Sequence, residues 1–594
     1  MQQNRNFYVT IALSVLILMV WQIFYMNPKI KAQQEQARIE ATRVAGEASK
    51  TTAGGNIKAP ATGTEAAAAA GVTLNDALKQ SARVIIDTPS LRGSINLVGA
   101  RFDDVVLKNY HETVDDSSPS IQLLAPSPVP NGYFAELGFA GEAAVGTLPG
   151  AETVWTVSGN TTLTPTAPVI LTYTNDKALT FKRTIAVDSR YMFTINDSVT
   201  NGGATAVSLA SYGRVVRYEK PATASVYVLH EGAIGYDDIN HLQEHNFANL
   251  ESDKEVKPEK ASNGWLGITD KYWAAALVPT QKVPHQTKYS YFSEGRPRYQ
   301  VDYLTDAISV APGETQTSEA LLFAGAKDVN VINAYRDERS ITNFDRMVDW
   351  GWFWFITKPM FWLMDHLFKL LGNFGLAILA TTVVVKAIFF PLANKSYVSM
   401  AHMKTAQPKM AEIKEKYADD KAKQQQAMME LYKTEKINPI AGCWPVLLQI
   451  PVFFALYKVI YVTIEMRHAP FYGWIHDLSA PDPTSLFNLF GLLPFGLPHA
   501  LIIGVWPLLM GITMFLQMRM NPTPPDPTQA MMFTWMPVIF TFMMAAFPAG
   551  LIIYWAWNNL LSIIQQGIIM KRQGAKIELW DNLVALFKKK PAVG

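Results

Sequence analysis

Cysteine is almost absent from this chain. Cys443 stands alone among 594 residues, which excludes an intramolecular disulfide and a clustered cysteine metal site. It reads as a small buried apolar residue at the edge of a hydrophobic run. Net charge is also scarce: 52 basic against 50 acidic residues leave +2. That balance gives no case for DNA as a partner, so the distribution of charge matters more than its sum. No motif implies a metal or a cofactor, and no residue is read as catalytic. The most telling lack lies in the back half, where none of five long apolar runs carries an acidic residue in its core. A proton- or sodium-coupled transporter would usually need carboxylates there. No inverted repeat is visible either.

Apolar residues are abundant instead: 49% of the chain is hydrophobic, with 15 Trp, 30 Phe and 23 Met. They are unevenly spread, so the length predicts several domains. Residues 1–26 contain a span-length run, Phe7 to Met26, with Arg5 before it. Its aromatic end, Trp21-Gln-Ile-Phe-Tyr-Met26, suits a membrane interface better than a cleavage site, which predicts an uncleaved anchor. Residues 27–75 are rich in Ala, Gly, Thr and Gln, with little apolar mass to offset ordering entropy, and read as a flexible linker. Between 76 and 340 the pattern turns to short β-type runs separated by turn clusters. In Leu179-Thr-Phe-Lys-Arg-Thr-Ile-Ala-Val187, period two places Leu179, Phe181, Ile185 and Val187 on one side. Many such runs predict a folded antiparallel sandwich.

Residues 349–372 crowd aromatics together with Lys358, Asp365, His366 and Lys369, a composition that favours a helix lying in the membrane interface. Five spans follow, at 373–394, 444–464, 499–518, 531–548 and 551–570, each near the roughly 20 residues a bilayer needs. With the anchor they make six transmembrane helices. Loop 395–443 carries nine lysines and six acidic residues, and tail 571–594 ends in Lys588, Lys589 and Lys590. Loop 465–498 has one such base, Arg467, while 519–530 is a short loop. Positive residues stay inside, so loop 395–443, loop 519–530 and both termini are expected to be cytoplasmic. The β domain and loop 465–498 are then expected on the periplasmic side of a bacterial inner membrane.

Lys386 falls inside the first of the five spans. A charge near a span centre costs about 2.5–3.5 kcal/mol and usually faces protein or water. Snorkelling is the plain alternative. Lys395 marks the interface about 13 Å away at ~1.5 Å per residue, and a lysine stem covers about half of that. Thr382 shares its helical face. Tyr554, Asn558 and Ser562 form a polar stripe in the last span, continued by Gln565 and Gln566, and Gln449 lies in the second. A hydrated groove open to the cytoplasm would satisfy all of them. Interhelical hydrogen bonds that merely hold the bundle would satisfy the amides equally well. The cytoplasmic loop reads as a basic helical hairpin, about 399–417 and 421–436, with Met400, Met403, Met410, Met428 and Met429 at helical spacing. Methionine surfaces adapt to many apolar partners.

Particular runs carry a resemblance. Asn438-Pro-Ile-Ala-Gly-Cys-Trp-Pro-Val-Leu-Leu-Gln-Ile-Pro-Val-Phe-Phe-Ala-Leu-Tyr457, Trp474-Ile-His-Asp-Leu-Ser479, Met536-Pro-Val-Ile-Phe540 and Phe547-Pro-Ala-Gly550 resemble the YidC/Oxa/Alb family of membrane protein insertases. The resemblance implies a five-helix insertase core around a cytoplasm-open groove, an N-terminal anchor, and a periplasmic all-β supersandwich similar to sugar mutarotases. It places the family's groove charge, usually arginine, at Lys386, its groove threonine at Thr382, and its aromatic pair at Tyr554 and Trp555. Lysine keeps the charge but not the bidentate fork. The implied partners are nascent membrane proteins, the Sec translocon with its accessory subunits, the ribosome (through the basic tail) and membrane lipids. Two other readings are a channel or transporter, and a tethered periplasmic sugar-binding protein using His230, Glu231 and His241. Residues 481–498 look like an extension of a short periplasmic loop.

Overall fold

A computed structural model of the chain describes residues 72–221, 229–435, 444–491, 493, 502–521 and 527–574. The anchor 1–26, most of the linker 27–75, Cys443 and the tail lysines Lys588, Lys589 and Lys590 lie outside the described residues.

Alternation builds the β domain. In strand Leu179–Val187, Leu179, Phe181, Ile185 and Val187 are buried, while Thr180 and Lys182 face solvent. The strand pairs antiparallel with Met192–Asn201, which pairs with Thr315–Ala326, inside a 9-stranded sheet. An 11-stranded sheet packs against it. Phe139 of the larger sheet meets Phe181 of the smaller, and Phe102 meets Phe193, both at 5.2 Å between ring centres. The expected sandwich thus forms, with one departure from antiparallel order among the described strands: Arg83–Asp87 pairs parallel with Thr162–Leu163. A long connection between them lets the chain return in the same direction. Arg183 breaks the apolar stripe of its own strand yet is fully buried. Its guanidinium grips Asp197 twice, at 2.7 and 2.8 Å, and donates to the Leu137 carbonyl at 3.0 Å.

Two short helices, α1 (Leu74–Leu78) and α2 (Phe247–Asp253), belong to the β domain, and α3 (Val329–Glu338) follows its last strand. Then come α4 (Trp354–Leu371), α5 (Phe374–Thr405), α6 (Gln407–Lys416), α7 (Lys421–Thr434), α8 (Trp444–Val462), α9 (Val505–Met520), α10 (Pro527–Met544) and α11 (Ala549–Arg572). Gly372, at φ +69°, closes α4, and the Asn373 side chain accepts from Leu376 N to open α5. Among the described residues α5 alone is both long and apolar enough to cross a membrane, with Gln449–Val462 and Met531–Met544 as shorter apolar stretches.

At ~1.5 Å per residue α5 is about 48 Å long, more than the roughly 30 Å of a hydrocarbon core. It runs on past Lys395, where sequence places the end of the span. No glycine or proline occurs between Asn394 and Thr405, and Pro408, in the first turn of α6, is the first breaker after Pro391. Met400 and Met403 therefore sit on the end of α5 rather than on the hairpin. Helices α6 and α7 do pair, through Gln424 to the Lys414 carbonyl and Lys409 to Glu435. The extension after Ala480 also has a structural task. Asp482 accepts from Trp506 N at 2.9 Å and Thr484 from Val505 N at 3.0 Å, so the loop caps the start of α9.

Polar contacts join the β domain to the helices. Arg467 donates to the carbonyls of His111 and Glu112, Lys271 lies 3.5 Å from the Tyr461 ring centre, and Lys458 pairs with Asp349 at 2.7 Å. Glu465 accepts from Val329 N at 2.9 Å, at the start of α3. Burial first, then repulsion by Asp328 and Asp365, pushes its carboxyl up to about 8 from the ordinary 4.5. Tyr110 also faces it. A raised acid keeps in the folded state a proton that the unfolded chain releases. Its contribution is full below about pH 4.5 and is lost as pH rises through about 8, at about 1.4 kcal/mol per unit of displacement. Thermal midpoints of the full-length protein between pH 5 and 9 should fall with pH. Glu465→Gln should flatten that slope; an equal slope in the variant would assign it to other groups.

Candidate functional site

The periodicity of α5 builds one wall of a polar cavity. Thr382, Lys386, Phe389, Ala393 and Tyr397 recur at i, i+4, i+7, i+11 and i+15, a single helical face. Gln449 and Val452 of α8, one turn apart, supply a second wall, and Tyr554, Asn558 and Gln565 of α11 a third. The space enclosed is about 60 Å³, well above the roughly 10–15 Å³ that one water needs.

Lys386 donates to Ser562 Oγ at 2.6 Å, and Ser562 donates onward to the Asn558 carbonyl at 2.8 Å. Among the described residues no carboxylate pairs with this ammonium; its polar neighbours are neutral. The Tyr397 and Tyr554 side chains line the same space. Thr382 lines the cavity but gives its hydroxyl hydrogen to Ile378 O, 2.8 Å away on its own helix. Gln565 reaches the cavity with a buried amide nitrogen that has no partner among the described residues, whereas Gln566 turns away to Asn521 at 3.0 Å.

Structure thus brings Lys386, Thr382, Gln449, Tyr554, Asn558 and Ser562 together. It does not bring Trp555 with them. Consecutive helical residues point about 100° apart, and Trp555 packs edge-on against Phe453 at 4.9 Å and Phe540 at 5.7 Å. The methionines are divided too. Met400 and Met410 are buried, Met403 and Met428 half-buried, and Met429 is exposed. Met400 packs beside Tyr397 and Ile569, where it closes the bundle instead of offering a surface.

Two residues matter that sequence reading passed over. Tyr397 lies beyond the expected end of its span, although its i+11 spacing from Lys386 was the available signal. Lys458 is a second charge inside an apolar run, but Asp349 neutralises it. The sugar-site candidates stay apart in character. His230 is taken up by the Ala233 carbonyl at 3.0 Å and pushed by burial down to about 4, Glu231 accepts from Lys271 N, and His241 is exposed at the start of the strand His241–Asn246.

Residues 83–363 match the family model of the YidC periplasmic domain, and residues 366–576 that of the 60Kd inner membrane protein. The β sandwich and the helices that enclose Lys386 are therefore the two parts of an inner-membrane protein with a periplasmic domain. The membrane protein insertase YidC of Mesorhizobium japonicum is 68% identical over 602 residues, covering 100% of both chains. That of Rhizobium meliloti is 61% identical, covering 100% of this chain and 99% of its own. The chain belongs to the YidC family of membrane protein insertases. Among solved structures, an active YidC insertase with its first transmembrane domain resolved covers 81% of this chain and 91% of its own, at 17% identity and TM-score 0.34. A galactose mutarotase related enzyme from Lactobacillus acidophilus covers 41% of this chain and 97% of its own, at 10% identity and TM-score 0.30. Likeness at those scores carries nothing further.

Proposed function

We propose that this insertase works through the Lys386 cavity, which receives the polar flank of a nascent membrane protein while its apolar segment moves out against lipid. The supporting observation is a half-buried ammonium that faces a space with room for several waters and has only neutral polar neighbours among the described residues. A passing carboxylate would find there a charge and several donors, at less desolvation cost than in lipid. Thr382, Gln449, Tyr554, Asn558 and Ser562 keep the path wet. No covalent chemistry is involved.

In this reading six helices span the membrane: the anchor, α5, α8, α9, α10 and α11. Helix α4 lies in the interface, the cavity opens to the cytoplasm, and both termini are cytoplasmic. The hairpin of α6 and α7, with Met428 and Met429, and Met403 at the end of α5 meet the emerging chain. Lys588, Lys589 and Lys590 bind ribosomal RNA through phosphate contacts, and the Sec translocon is a partner for larger substrates. Photo-crosslinkers at positions 386 and 554 should capture a ribosome-stalled nascent chain, and one at Lys260 on the β domain should not. Absence of adducts from both cavity positions would remove the model.

A further inference from the structure

A second and larger cavity, of about 780 Å³, opens where the β domain meets the helices. Small-molecule sites typically occupy roughly 300–1,000 Å³. The edge strand His241–Asn246 supplies one wall, with Glu244 on its inward face. The linker from Arg346 to Trp354 supplies the opposite wall, and Phe454 and Lys458 of α8 the floor.

The charges are balanced but not all used. Lys458 and Asp349 satisfy each other. The Arg346 guanidinium lies 4.7 Å over the Trp354 ring, and its side chain makes no ion pair or hydrogen bond among the described residues. Glu244 is accessible and likewise makes none; Asp349 acts on it as a neighbouring anion, and Lys458, Arg346 and Lys327 as neighbouring cations. A plain anion would meet Glu244 and Asp349; a plain cation would meet Arg346 and Lys458. A ligand with both charges meets neither penalty.

Depth points to the source of such a ligand. Lys458 lies four residues, about 6 Å, inside the end of α8 at Val462. Trp352 is 87% exposed, Trp354 and Phe454 are each 43% exposed, and tryptophans are enriched at membrane–water interfaces. We propose that this cavity holds the head group of a zwitterionic phospholipid, with the phosphate on Arg346, the ammonium on Glu244 and the acyl chains leaving along Trp352 and Phe454. The placement rests on α8 being a span, as in the proposed function.

Native mass spectrometry of the full-length protein in detergent, with added phosphatidylethanolamine, tests this. The wild type should retain that lipid about tenfold better than phosphatidylglycerol. Arg346→Gln should weaken retention of both lipids about tenfold, Arg346→Lys should restore part of it, and Glu244→Gln should abolish the preference. Equal retention by wild type and both glutamine variants overturns the site. No preference in the wild type overturns the zwitterion. Full competition by tail-free glycerophosphoethanolamine assigns the cavity to a soluble ligand, and displacement by an extended peptide pairing on the edge strand assigns it to polypeptide; either overturns the lipid. Insertion measured on the same preparations separates the two readings: lost lipid with normal insertion leaves the insertase model standing, and lost insertion in Lys386→Ala with normal lipid retention leaves this site standing.

Discussion

Asp197→Ala should destabilise the β domain by about 3–5 kcal/mol, because it strands a buried guanidinium. Arg183 is fully buried and holds both oxygens of Asp197, with its remaining reach spent on the Leu137 carbonyl and the Trp155 ring at 5.1 Å. Removing the carboxylate leaves the charge with a single neutral acceptor. Removing both partners is a milder change. The Arg183→Leu, Asp197→Leu pair replaces desolvated charges by apolar packing, which is often neutral or better. Amide exchange by mass spectrometry, followed over peptides from 179–201, gives the local opening free energy. Asp197→Ala should expose these strands to exchange strongly and the double variant much less. A single variant within about 0.5 kcal/mol of wild type, as for ordinary surface changes, would show that the pair contributes no more than they do.

That ion pair also marks where sequence reading reaches its limit. Period two located the strand Leu179–Val187 and its apolar face, yet the same period puts Arg183 on that face. Alternation fixes direction, not partner, and Asp197 comes from the next strand. The helices repeat the lesson. Lys386, Thr382 and the stripe Tyr554–Asn558–Ser562 were legible because helical spacing and the cost of polar groups in lipid are local facts. Gln449 could be suspected on the same cost. Resemblance places Trp555 with Tyr554, but its ring is taken up by Phe453 and Phe540, partners that no local spacing reveals. Tyr397 falls outside a span that sequence ends at 394, since length in lipid says nothing about how far a helix continues in water. Lys458 is as legible as Lys386, a charge inside an apolar run; what the sequence does not show is its partner Asp349, 109 positions away. Long-range pairing is invisible to periodicity, and it is what joins the β domain to the helices.

Lys386→Glu should reduce insertion of a substrate with an acidic translocated flank about tenfold or more, and leave a neutral-flank version near wild type. Two unit charges about 4 Å apart interact by about 4 kcal/mol at an effective dielectric of 20, and about 1.4 kcal/mol is tenfold in rate. Reversal turns attraction into repulsion, so even strong screening by cavity water leaves a measurable factor. Lys386→Ala should fall between, and Lys386→Arg should match or exceed wild type for the acidic flank, because a guanidinium offers a carboxylate two parallel donors. Ser562→Ala is the structural control. It removes the acceptor that Lys386 contacts at 2.6 Å but keeps the charge, so it should alter both substrates alike. The readout is the ratio of acidic to neutral substrate inserted into proteoliposomes at fixed protein content, which cancels differences in folding. If that ratio stays at the wild-type value in Lys386→Glu, the lysine serves to keep the cavity wet and does not attract the passing chain.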